Sequence, residues 1–209
     1  MRKSIGRSER TRGMQLGRPA ALLTTVFAVF LLSAHGPSLA WSSGTNITPD
    51  SLLPGNVVVS LRVVKRFFPE ITHLASSGAN DTAVGNPNAT RKVIYENDDG
   101  SKKVTISVDQ YRSRDDASSA YDLALEKSKV VPGFKLIRIP LIGQRSFAGS
   151  VTMGGETHIG VGVLDGKLIL GLTLAGYNDT QKNVSHLVVL ARIEDAVARG
   201  ILGLNGFFD

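Results

Sequence analysis

Between Glu156 and Leu174 the chain alternates large apolar residues with small or polar ones, and Asp165-Gly166 interrupts the pattern once. Period-two alternation marks a half-buried strand, and an Asp-Gly step between two such runs is a strong signal for a tight hairpin. A two-residue loop at Asp165-Gly166 sets Leu164 opposite Lys167, Gly160 opposite Gly171 and His158 opposite Thr173. Ile159, Val161, Val163, Leu168, Leu170 and Leu172 then share one apolar face. Glu156, His158, Gly160, Gly162, Ile169, Gly171 and Thr173 lie on the other. A face as apolar as the first has to be covered by a second layer, so the hairpin demands a sheet with other elements packed on it.

The remaining elements fit that demand. Asp99-Gly100 is a second turn signal, and its register pairs Glu96 with Lys103, Tyr95 with Val104 and Val93 with Ile106. Opposite charges thereby meet on one face and apolar side chains on the other. A helix is predicted over Arg114–Lys129, with Ser113 as N-cap, Asp115 and Asp116 in the first turn and Lys127 and Lys129 in the last. Its buried stripe is Ala117, Ala120, Tyr121, Ala124 and Leu125. Strands are expected over Phe134–Ile139, Arg145–Thr152, Thr157–Leu164 and Lys167–Leu174, and a last helix over Thr180–Arg199. Leu53, Val57, Leu61, Val64 and Phe68 recur at helical spacing, which predicts a helix ended by Pro69. Residues 75–90, rich in Gly, Asn and Ser, read as a mobile spacer. The order describes a single α+β domain: an antiparallel β-sheet of about six strands with helices packed on it.

The first forty residues read as an address. A basic stretch to Arg18 precedes the apolar run Ala20–Ala34, the breakers Gly36 and Pro37, and Ser38-Leu39-Ala40. This is the layout of a secretory signal peptide, with cleavage expected after Ala40. The apolar run falls short of the roughly 20 residues that span a bilayer core, so no stable membrane span is expected once the leader is gone. Retention as an uncleaved anchor is the alternative. The domain then covers residues 41–209, with its core over about 50–199 and an apolar, glycine-broken tail over 200–209.

Charge and cysteine usage exclude whole classes of function. The formal charge is +6, but residues 1–40 hold six basic side chains against Glu9 alone. The rest of the chain carries 18 positive and 17 negative charges, so nothing in the balance favours nucleic acid. The absence of cysteine removes disulfides, thiolate catalysis and Cys-based metal sites. Five asparagines, Asn46, Asn80, Asn88, Asn178 and Asn183, stand in Asn-x-Ser/Thr triplets and would be glycan acceptors in a eukaryotic secretory pathway.

Candidate chemistry gathers on the glycine-rich face of the second hairpin. Three glycines in strand interiors mark a close approach by another group. Two readings follow: the alanine-faced helix packs into the strip, or Gly160, Gly162 and Gly171 floor a ligand groove edged by Glu156, His158 and Thr173. Glu156 and His158 point to one side and could touch a metal, but neither His73 nor His186 stands at ligand spacing, so no metal is expected. The chain has no nucleophile elbow, no dinucleotide fingerprint and no phosphate loop, so neither a catalytic residue nor a cofactor is assigned. In the tail, Phe207 and Phe208 either dock on the core or contact a partner.

Asp116, Ala117, Ala120 and Tyr121, followed by Val131-Pro132-Gly133, Gly143, Ser146-Phe147-Ala148 and the glycine-rich hairpin, form a familiar succession. Over roughly residues 50–199 the chain resembles the small exported α+β domains of bacterial lipoproteins and receptor-kinase sensors, similar in architecture to the photosystem PsbP and Mog1 family. The lipobox cysteine of the lipoprotein members is missing. The resemblance implies binding or scaffolding, and supplies no catalytic residues. The expectation is thus an exported, non-enzymatic domain that binds a small ligand or an envelope protein. The rivals are a small hydrolase using His158 with Glu156, and an envelope protein acting through its tail.

Overall fold

The computed structural model describes residues 52–204. The leader, the Ala40 cleavage site, Asn46 and the tail phenylalanines Phe207 and Phe208 lie outside the described residues. Seven strands form one sheet: β1 His73–Gly78, β2 Ala89–Glu96, β3 Lys103–Gln110, β4 Lys135–Ile137, β5 Arg145–Met153, β6 Glu156–Asp165 and β7 Leu168–Ala175. Their order is β1-β2-β3-β7-β6-β5-β4, with every neighbouring pair antiparallel. Three α-helices accompany it: α1 Leu61–Val64, α2 Arg114–Lys129 and α3 Gln181–Ile201. The molecule is an α+β domain with one more strand than the sequence predicts.

Each face of the sheet is closed differently. The inner face carries Val93, Tyr95, Val104, Ile106, Val108, Ile159, Val161, Val163, Leu168, Leu170, Leu172 and Leu174, all buried. It is covered by α3 through Val184, Leu187, Leu190, Ala191 and Ala198, and by an N-terminal strap, residues 52–72, through Val57, Val58, Val64 and Phe68. The second face, which holds the glycines, is covered over β6 and β7 by α2 through Ala117, Ala120, Tyr121 and Ala124. Leu125, expected inside, is only partly buried at the edge of that contact.

The helix ends follow capping chemistry. Ser113 Oγ accepts from Asp116 N at 3.0 Å, and Thr180 Oγ1 accepts from Asn183 N at 3.3 Å. The first hairpin has its expected register, Glu96 opposite Lys103 and Val93 opposite Ile106. Its turn, however, is centred on Asp98-Asp99: Gly100 N donates to Asn97 O, and Gly100 follows at φ +69°.

Three expectations are corrected. The second hairpin turns at Gly166-Lys167, so Gly162 stands opposite Gly171, Gly160 opposite Thr173 and His158 opposite Ala175. Gly166 takes the first loop position at φ +60°, and Asp165 stays in β6, where it accepts from Arg199 of α3 at 2.9 Å. The slip is an even number of residues along the ladder, so every side chain keeps its predicted face. The predicted helix over 53–68 is instead a 3-10 turn, Gly55–Val57, an extended stretch, and the single turn α1. Pro54, Gly55 and three successive β-branched valines oppose a longer helix, while the predicted buried positions Leu53, Val57, Val64 and Phe68 do go inside. Finally, the predicted spacer begins as strand β1, and the rest of it is pinned. Asn80 is 2% exposed, and Tyr111 Oη donates to Val84 O.

Candidate functional site

Glu156, His158, Gly160, Gly162, Gly171 and Thr173 share one sheet face as the alternation predicts, yet they do not line an open groove. The alanine stripe of α2 lies over one end of the strip. There Phe147, opposite Gly162 on β5, turns its ring across the glycine: a Cβ at Gly162 would lie 2.6 Å from Phe147 Cε1. Tyr121 meets that ring edge-on at 5.5 Å between centroids, and the Arg145 guanidinium sits 4.7 Å from the Tyr121 ring centre while pairing with Asp122. Gly149 admits Phe134 in the same way, since a Cβ there would be 2.1 Å from Phe134 Cε2. The glycines beside these rings therefore serve close packing.

Beyond the alanines the strip turns polar. Thr173 lies between Thr105 on β3 and Gly160 on β6, Ser107 lies opposite Gly171, and His158 faces the same way one pair further along. Thr105, Ser107, Thr173 and His158 are all buried, and Ser107 Oγ donates to Gly171 O at 3.5 Å. His158 is 4% exposed, and its Nδ1 has no hydrogen-bond partner. Its Nε2 stands 3.7 Å from Glu156 Oε2, too far for a hydrogen bond. Burial pushes His158 below its usual titration range, outweighing the attraction of Glu156, so the imidazole is neutral at pH 7. A neutral imidazole keeps one donor and one acceptor nitrogen, which leaves Nδ1 unpartnered on a residue flanked by Val151 and Ala175 on the neighbouring strands.

Two further polar clusters escaped the sequence reading. Asn80 Nδ2 donates to both carboxylate oxygens of Asp109 at 2.9 Å, and Asn80 Oδ1 accepts from Thr82 N and Thr82 Oγ1. Burial raises Asp109 to about 7, against the opposing effects of Asn80 and Lys92. With its amide so enclosed, Asn80 cannot carry a glycan in this fold, although it heads an Asn-x-Thr triplet. On the inner face Glu194 is fully buried, Oε2 accepting from Val59 N at 2.9 Å and Oε1 unpartnered. Glu194 continues the buried phase of Leu187, Leu190 and Ala191, so helical periodicity alone could have placed it inside. Among the described residues no three of His, Asp and Glu converge as a metal centre requires, and no helix is long and apolar enough to cross a membrane.

No protein-family model matches the chain, and neither does any curated protein. Among solved structures it is similar to the extracellular domain of PknH from Mycobacterium tuberculosis. The TM-score is 0.50 at 11% identity, over 68% of this chain and 93% of that one. A fainter likeness, TM-score 0.30 at 16% identity over 51% of this chain and 68% of the other, is to LpqN, involved in cell envelope biogenesis of the same organism. The PknH likeness establishes a shared fold.

Proposed function

We propose that the chain is an exported, non-enzymatic domain that binds a small polar ligand in the seam between the C-terminal half of α2 and strands β3, β7 and β6. One observation carries the reading: the buried, unpartnered Nδ1 of His158, on the sheet face that also carries Gly160, Thr173 and Thr105. A neutral polar atom left without a partner inside a protein costs about 1–3 kcal/mol, and a ligand that meets it recovers that energy. Export is supported by the leader in residues 1–40, with cleavage after Ala40, and by the fold shared with an extracellular domain. The same proposal takes in the architectural kinship with PsbP and Mog1. The hydrolase alternative gains no support at Nδ1, which has no nucleophile hydrogen-bonded to it.

Native mass spectrometry on protein purified gently from its own cells tests the reading. A non-covalent adduct is expected on the wild type and not on His158→Phe, which keeps the volume and removes the nitrogen. The mature mass should begin at Trp41. A wild-type protein with the same mass under native and denaturing conditions would refute the ligand, and an adduct retained by His158→Phe would refute the site.

A further inference from the structure

We propose that Glu194 is a protonation latch, its neutral carboxyl fastening the N-terminal strap to the inner face and its ionisation releasing that strap. The geometry is specific. Val59 is the one strap residue whose backbone donor and acceptor are both held by buried side chains: Val59 N donates to Glu194 Oε2 at 2.9 Å, and Tyr95 Oη donates to Val59 O at 2.7 Å. Around this point Val57, Val58 and Val64 are buried against the core, so the strap covers apolar surface that its release would uncover. Beyond that point, Leu53 N donates to Thr90 O and Thr72 N to Glu96 O, Phe67 O meets His186 Nδ1 of α3 at 3.0 Å, and Glu70 pairs with Lys102.

An ionised carboxylate wants several donors, and Glu194 has one. Its Oε1 is buried without a partner, and the strands beneath present Val93, Ile106, Leu170 and Leu172. The ionisable groups around it do little to help. Tyr95 on β2 stays a neutral phenol, its hydroxyl spent on Val59. Asp195, the next residue of α3, is an acid whose charge opposes that of Glu194. Asp165 on β6 and Arg199 on α3 pair with each other. Arg91, on the same face of β2, lies instead against Gly55 in the strap, its NH2 nitrogen 2.9 Å from where a Cβ of residue 55 would be. Burial accordingly raises Glu194 to about 8. In the opened state the carboxyl is solvated and titrates in its ordinary range, so opening gains about tenfold per pH unit up to pH 8.

Hydrogen exchange read by mass spectrometry tests the latch in the mature protein. Protection of peptides covering residues 57–64, corrected for the intrinsic pH dependence of exchange, should fall roughly fifteenfold from pH 6.5 to 8. Peptides from β7, which exchange only when the whole domain unfolds, should stay better protected than the strap at every pH. Glu194→Gln keeps an acceptor for Val59 N without a titrating proton, so its strap protection should be flat across the same range. An equal fall in Glu194→Gln, or a strap as well protected as β7 throughout, overturns the proposal. The wild type alone decides as well: the Val59 amide resonance should titrate with a midpoint near 8, and a resonance that stays still from pH 6.5 to 9 refutes the latch.

Discussion

Raising the pH from 6.5 to 8 is expected to destabilise the whole domain by about 2.5 kcal/mol. Burial raises Asp109 to about 7 and Glu194 to about 8, against 3.8 and 4.5 in the unfolded chain. Both carboxyls therefore hold a proton in the fold that the unfolded chain has already released. The stability they confer is complete below about pH 4 and is lost as the pH climbs through their folded values. Asp109 contributes mainly below about pH 7.5 and Glu194 across the whole window, each at up to about 1.4 kcal/mol per proton and pH unit until it is half ionised. His158 acts in the opposite sense. Its folded value is lowered by burial, so it adds stability as the pH rises toward 6.5, and a window starting there avoids it. Against a total of roughly 5–15 kcal/mol for a domain, the loss is large. Urea titrations at pH 6.5, 7.25 and 8 should show the midpoint falling at constant slope. Asp109→Asn should flatten the lower part of the decline and Glu194→Gln the whole of it above pH 7. A midpoint that holds or rises over this window would refute the assignment of neutral buried carboxyls.

Gly176 sits at φ +76° with a Cβ position 1.9 Å from Ser101 O, so Gly176→Ala should cost more than about 3 kcal/mol or prevent folding, as read by thermal melting. Gly162→Ala must displace the Phe147 ring and should cost about 1–3 kcal/mol, much of it recovered when combined with Phe147→Leu in a double-mutant cycle. Additive effects would show that the two side chains do not compete. Ser113→Ala removes the cap of α2 and should cost about 1 kcal/mol in urea unfolding. Asn80→Ala strips both hydrogen bonds from Asp109 and should raise its titration further, measured by carboxyl carbon NMR.

What the sequence shows and what it hides divide along physical lines. The faces of β2, β3, β6 and β7 were legible because period two assigns a side whatever the turn does. The pairing within the second hairpin was not. Asp165-Gly166 and Gly166-Lys167 both satisfy the turn with one glycine, and the choice falls to the bond between Asp165 and Arg199, which are far apart in the chain. Helix α2 was legible to the residue, since its cap and end charges are local. The strap was not, because its valines occupy helical spacing while their burial depends on α3 and the sheet. Strand β1 hid inside a composition that reads as a loop: Ala75, Ser76, Ser77 and Gly78 carry no strand signal, and an edge strand draws its backbone bonds from its neighbour. For the candidate site, the residues and their common face were legible, and their enclosure under α2 was one of the two readings the glycines allowed.

The two sheet faces leave polar atoms buried for different reasons. On the inner face the cost at Glu194 is tied to a segment that can detach, and it varies with pH because a proton settles it. The open nitrogen of His158 differs. Its burial already holds it neutral, and lowering the pH would only charge an imidazole that has Glu156 at 3.7 Å beside it. A proton does not relieve that atom, whereas a hydroxyl or amide from the proposed ligand would do so directly. Placing the ligand at His158 and the latch at Glu194 therefore follows from the same accounting of buried polar atoms, and each can fail without the other: the adduct depends on the imidazole nitrogen, and the strap on the carboxyl proton.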